Sequence, residues 1–537
     1  MHAGHGKHPR GLEEGARRQS QFGRFGQMFP GLSPLSVSKD DLGVLADTMR
    51  DEGQSGDNQN IPAGYTYLGQ FIDHDITFDT SGLGEKVNDP TAVMNFRSPR
   101  LDLDSVYGRG PADQPFLYDR VDGRRFALGA CGPGQQPNTA GALRIRGGLP
   151  NDLPRNREGL ALIGDPRNDE NLLVAQTHLA FLKFHNKVVD HVEAAGGTDP
   201  DKVFDEARRI VRWHYQWIVL HDFLDRLVDF NDVHDVLTNG RKHYRFEEQS
   251  EFGEPYMPVE FSVAAYRLGH SMIRETYSHN RVFRPGAGPS TFSFLFHFTG
   301  LSGGIVGSRV GEADLLQKLK LPKLKLRNGE DINPFLLPDL PGDWAIDWRR
   351  FFDLGAPGSP PGNVEPPDNE FALNFSRLLD PYLVPALHTL PGDGGNLAHR
   401  NLQRGVQMQL PSGQDVAQAM GITPLMPDEI AGSGADGAKA RDLGLHEKTP
   451  LWYYILKEAQ LKGNNGSRLA GVGSRILAEV FVGLLEGDCE SFICRDRNWK
   501  PTLPSEHPGT FTMPDLLRFV GDLDPINEAS NLEQVAP

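Results

Sequence analysis

Cysteine is scarce: Cys131, Cys489 and Cys494 are the only three in 537 residues. Three cannot build a disulfide framework, so folding does not depend on an oxidising compartment. No apolar run is long enough to span a bilayer. Positive charge is also short, with 55 Lys and Arg against 71 Asp and Glu and a net charge of −16. That balance excludes general affinity for nucleic acid or anionic membrane, since both need a basic surface. Strand-like alternation is rare and internal repeats are absent. Residues 1–30 lack the apolar core of a secretory signal. The expectation is a cytoplasmic chain, or one exported without a cleavable signal.

Glycine and proline are plentiful, at 60 and 40 residues, which predicts many long loops around the regular elements. Residues 1–40 read as a flexible arm, and His2, His5 and His8 within it as adventitious metal binders. Residues 41–522 read as one large, mainly α unit and residues 523–537 as a loose tail. Helical apolar spacing marks "YTYLGQFIDHDI", "NLLVAQTHLAFLKFHNKVVDHVEAAGG", "PDKVFDEARRIVRWHYQWIVLHDFLDRLV", "PVEFSVAAYRLGHSMIRETY" and "GSRILAEVFVGLLEGD". The second ends at a glycine stop and the third opens on proline. Residues 321–368, rich in Pro, Gly and Asp, read as a long surface excursion.

Within the first helix, "GQFIDHD" sets three polar residues in an apolar run. At about 100° per residue, Gln70, Asp73 and His74 share a face, and Asp75 points elsewhere. Two separate partners are therefore expected. Asp75 together with Ser98, Asp102 and Asp104 of "FRSPRLDLDSVYG" offers the flexible oxygen set that Ca²⁺ takes, or else a solvated acidic turn. Arg167 and Glu170 in "GDPRNDEN" are three apart, so they project together on a helical turn, either into a cavity or as a surface ion pair. His270 follows Gly269, which would let something flat approach the backbone, and Arg267 lies one turn earlier. A buried neutral imidazole suits iron. Asn401, if buried, needs amide partners and could orient an imidazole. His214 and His221 are two helical turns apart, too far for one zinc ion without other ligands.

The ordered set "GQFIDHD", "LDLDSVYG", "GDPRNDEN", "LKFHN", "YRLGH" and "RNLQRG" resembles the animal-type haem peroxidases, the superfamily of myeloperoxidase, peroxinectin and the cyclooxygenases. The "LPSGQ" variety with few cysteines resembles a bacterial branch. The resemblance implies haem b between a distal and a proximal helix in a mainly α fold. It implies hydrogen peroxide as oxidant, a ferryl intermediate, and halides, thiocyanate or phenols as donors. By position, His74 would be the distal base, Arg167 the distal arginine and Gln70 the glutamine of the peroxide and halide site. Asp73 and Glu170 would form haem esters, His270 would bind iron, Asn401 would bond to His270, and Arg267 would lie near a haem propionate. Asp75, Ser98, Arg100 (through its carbonyl), Asp102 and Asp104 would hold Ca²⁺, although Arg100 and Asp104 differ in type from myeloperoxidase. Asn171 stands where myeloperoxidase has a haem-linked methionine. Its presence implies weaker oxidation of chloride than of iodide, bromide or thiocyanate.

Two other readings remain open at this point. A fatty-acid dioxygenase of the cyclooxygenase kind needs a tyrosine three residues before the proximal histidine, where this chain has Arg267. A haem- and calcium-stabilised adhesion protein would keep the fold without the chemistry.

Overall fold

The computed structural model describes residues 23–78, 94–132, 143–156, 159–246, 254–280, 282–284, 291–292, 295, 324–325, 331–332, 340–355, 373–390, 395–526 and 531–534. The N-terminal histidines and most of the expected surface excursion lie outside these residues. As the sequence implies, the architecture is mainly α with long connections and short strands. The first helices are α1 (Lys39–Thr48), α2 (Gly64–Ile76), α3 (Asp104–Tyr107), α4 (Leu172–Ala194), α5 (Pro200–Ile218), α6 (Leu224–Leu227) and α7 (Phe230–Asn239). Later ones include α8 (Leu397–Gln407), Leu451–Lys462 and Gly471–Glu486. Among the described residues no helix is long and apolar enough to cross a membrane.

The caps explain where the site helices start. Asn171 caps α4 by accepting from the Val174 amide, and Asp199 caps α5 ahead of Pro200. The chain leaves α4 through Gly196 at φ +100°, which is the expected glycine stop. Both α2 and α5 pack on α4, whose apolar residues Leu172–Leu182 are buried almost without break. Phe71 of α2 stacks on Phe181 of α4 at 4.6 Å and meets Tyr215 of α5 edge-on, so one aromatic cluster locks the three helices.

Three expectations need correction. The stretch 258–277 is helical only to His270, and it is not an α-helix: a π-turn over Glu260–Ala264 passes directly into a 3₁₀ helix over Ala265–His270. In a 3₁₀ helix residues three apart eclipse, so Arg267 and His270 align along one edge. The arm does not extend to residue 40. Strand β1 (Gly23–Gly26) pairs with β2 (Met94–Asn95) and β3 (Met257–Pro258), and the buried Glu260 carboxylate accepts from the amides of Met28 and Phe29. The apolar side chains Phe25 and Met28 give this segment a core to join. The C-terminal segment is anchored too, through Leu532–Gln534 pairing with Leu143–Ile145 and through buried Asp524 on Arg349.

Candidate active site

Helix α2 brings two polar side chains to one partner across the fold. Gln70 Nε2 donates to Glu170 Oε1, and His74 Nε2 lies 3.8 Å from the same oxygen. Burial, reinforced by Arg167, pushes His74 down from its usual 6.5 to about 4. Burial pushes Glu170 up to about 8, against the pull of Arg167. At neutral pH the pair is therefore an uncharged imidazole facing an uncharged carboxylic acid. Asp73 is half-buried and accepts from Thr77 Oγ1 at 2.9 Å. Its charge still reaches His74, Glu170 and Tyr266.

The turn that carries Glu170 is built from "DPRND". Asp165 caps it by accepting from the Arg167 amide, and Pro166 fixes its first residue. Arg167 and Glu170 reach α2 by different contacts, and Arg167 is the first charge felt at Glu170. Glu170 faces α2, while the Arg167 guanidinium folds back onto Asp165 at 3.1 and 2.8 Å. Its Nη2 also donates to the carbonyls of His74 (3.0 Å) and Thr77 (2.7 Å), and the group lies 4.3 Å over the Phe78 ring. The cause is Asp165, a fully buried carboxylate that takes Arg167 and Arg97 together. Despite burial, the two guanidinium groups hold it well below the usual carboxylate range.

Across the interior, His270 ends its 3₁₀ helix with Nδ1 2.7 Å from the Asn401 amide of α8. Burial and then Arg267 push it down to about 3, so it too is neutral. Arg267 Nε donates to the Ser262 carbonyl at 3.0 Å, while its charge acts on both His270 and Glu170. Tyr266 spans from this side to α2, donating to the Gly69 carbonyl at 3.1 Å.

Asp75 leaves the opposite face of α2, as expected from helical geometry. It forms a cluster with Asp102 and Asp104 in which one oxygen from each lies within 4.8 Å of the others. Its carboxylate accepts from Ser105 Oγ (3.0 Å), the Leu103 amide (3.1 Å) and Tyr215 Oη (3.2 Å). Leu103 adopts φ +59°, a costly conformation for leucine that turns its amide onto Asp75. Ser98 Oγ donates to Asp102 at 3.1 Å, and the Ser98 amide reaches Asp104 at 3.3 Å. Burial and the neighbouring Asp102 push Asp75 up to about 7 and Asp104 well above its usual value. Arg97 offsets part of this crowding at 3.4 Å from Asp104. The Arg100 side chain is felt instead at Asp488.

Several contacts at the site were not foreseen from the sequence. Asn168 accepts from His74 Nδ1 at 2.9 Å, and its Nδ2 lies 2.9 Å from His178 Nδ1. Asn171 donates to Gln70 Oε1 at 3.0 Å while capping α4. The available signal was weak: an Asn before an apolar helix marks a cap, and a His inside "VAQTHLAF" marks only a core imidazole. The zinc alternative for His214 and His221 has no support here. His214 donates to the Ile210 carbonyl and accepts from two backbone amides, which leaves no free nitrogen.

Comparison with known proteins bears on the family and on the fold. Residues 79–287 match the family described as animal haem peroxidase, a stretch that holds Arg167, Glu170 and His270 but begins just after His74. The chain is 27% identical to human thyroid peroxidase over 194 residues, 34% of this chain and 20% of that protein. It thus spans about a fifth of that curated relative's length. Peroxidase A from Dictyostelium discoideum superposes with a TM-score of 0.59 at 14% identity, covering 96% of this chain and 98% of that one. Fatty acid alpha-dioxygenase from Oryza sativa superposes at 0.54 with 15% identity, covering 94% and 80%. These two likenesses establish the mainly α fold.

Proposed function

We propose, for a chain that carries an animal haem peroxidase domain, a haem-dependent peroxidase that reduces hydrogen peroxide and oxidises small anionic or phenolic donors. The observation that carries this reading is a pair of neutral imidazoles, His74 beside Glu170 and His270 on Asn401, with the charge of Arg267 acting on both His270 and Glu170.

The residues there fit haem b. A Cβ on Gly269 would meet no atom within 4 Å, so open space lies against the backbone beside His270. Nε2 of His270 has no hydrogen-bond partner among the described residues, which suits an iron ligand. Turning the Asn401 amide over would set its oxygen on Nδ1–H and leave Nε2 with the lone pair that a metal requires. Asp73 and Glu170 would form ester links, and Arg267 would meet a propionate. Bound haem would supply the electron transfer from donor to peroxide.

The chain's own groups would manage the protons. His74, neutral, takes a proton from incoming peroxide at Nε2 and returns it to the departing oxygen. Arg167, held against α2, contributes positive field rather than a long reach. Asn171 fixes the Gln70 amide so that its NH₂ group faces the site. With asparagine there instead of a haem-linked methionine, iodide, bromide and thiocyanate should be easier donors than chloride.

Calcium would join Asp75, Asp102 and Asp104, with Ser98 and the Arg100 carbonyl completing the set. A divalent cation removes the repulsion that raises Asp75 and Asp104, and it anchors the helix end that bears His74.

The test is His74→Ala. Reaction with peroxide should slow roughly a hundredfold or more in stopped flow, and an unchanged rate rejects the base. The likeness to a fatty acid dioxygenase motivates one control. Oxygen uptake with linoleate and no peroxide would favour that activity instead, although Arg267 stands where its tyrosine is needed.

A further inference from the structure

Behind His74 lie two buried polar side chains that the proposed chemistry does not use. We propose that Asn168 and His178 form a positioning pair that fixes the proton of His74 on Nδ1 and so presents Nε2 as a lone pair. The inference rests on the reading of His74 as the base and adds the device that makes it one.

Two contacts in series carry it. His74 Nδ1 meets Asn168 Oδ1 at 2.9 Å, and an amide oxygen can only accept, so Nδ1 must bear the hydrogen. A neutral ring has one N–H, and Nε2 is then bare toward Glu170. The Asn168 amide has two ends, however, and alone it could turn over. Turned, its NH₂ group would face His74 Nδ1 and drive the proton to Nε2, the wrong form for accepting one. His178 opposes that rotation: its Nδ1 lies 2.9 Å from Asn168 Nδ2 and accepts from it.

His178 must be neutral to accept, and it is fully buried in α4 with its ring edge-on to Phe71. Burial pushes it down to about 3; the groups felt at the ring are Asp165, His74 and Arg97. Its Nε2 is buried with no hydrogen-bond partner among the described residues, so Nδ1 carries the polar contact of the ring. Asn168 is fixed by the Asp165–Pro166 turn and His178 by the helix, so the two supports come from separate elements.

The test reads the tautomer directly. The full-length chain, labelled with ¹⁵N-histidine and before haem is added, gives long-range proton–nitrogen correlations that show which ring nitrogen is protonated. The His74 signals are identified by their loss in His74→Ala. Wild type should show His74 protonated on Nδ1 alone. Asn168→Leu and His178→Phe should each produce a mixture or the Nε2 form, whereas His178→Gln, which keeps an acceptor, should restore Nδ1. In the haem-loaded chain, Asn168→Leu should slow the peroxide reaction about tenfold. A wild-type His74 protonated on Nε2, or an Asn168→Leu variant that stays wholly on Nδ1, overturns the proposal. If the variants fail to fold, the wild-type spectrum still decides. Haem uptake by the same preparation is measured separately, so failure of the peroxidase reading is distinguishable from failure of this one.

Discussion

The reaction with peroxide should persist in acid well below the pH at which an ordinary histidine is protonated. The perturbation is pH alone. His74 is held near 4 by burial and by Arg167, against a usual 6.5. At pH 5 about nine tenths of a group titrating at 4 is still neutral, but only about 3% of one titrating at 6.5. From pH 7 to pH 5 the second-order rate should therefore fall by roughly a tenth, where an unperturbed base would lose about 25-fold. The assay is stopped-flow mixing of haem-loaded protein with peroxide, with the protein jumped from neutral buffer so that the fold survives the reading. Glu170 adds a second, smaller limb near pH 8, where it becomes an anion beside the imidazole. That limb should vanish once the carboxyl is esterified. A profile with its midpoint near 6.5 would refute the account of His74 as a desolvated base.

Acid should also weaken the fold in a stated window. Burial lowers His214 to about 4, so the unfolded chain binds its proton first as pH falls below 6.5. The contribution is whole above 6.5 and is lost toward 4, about 3 kcal/mol at most for this ring. Apparent melting temperature followed from pH 7 to pH 4.5 should drop, and His214→Gln should flatten the drop; an equal slope in both proteins contradicts the assignment. Chelation should lower the melting temperature of wild type but not of Asp75→Asn with Asp102→Asn, read by calorimetry alongside metal analysis. Absence of calcium in the purified chain, with no effect of EDTA, removes the cation from the account.

Much of this arrangement could be read from spacing. The face shared by Gln70 and His74 and the divergence of Asp75 follow from helical period, and the start of α5 follows from Pro200. The proximal segment could not be typed, because "EFSVAAYRLGH" has apolar residues all round and periodicity does not separate π, α and 3₁₀ turns there. The orientation of Arg167 was hidden for another reason. Asp165 competes for its guanidinium, and the partner that shares Asp165 is Arg97, 68 residues away in sequence. Asn168 and His178 were unreadable because their value lies in a long-range contact to residue 74, which no local pattern encodes. The anchoring of Met28 and Phe29 depended likewise on Glu260, some 230 residues later.

The most direct measurement is haem binding by the full-length chain and two variants, followed by absorption and a pyridine haemochrome. Wild type and His74→Ala should each bind one haem, while His270→Ala should bind it weakly or not at all. Equal binding by His270→Ala, or no haem taken up by wild type, would contradict the claim that these two imidazoles bound a single haem site.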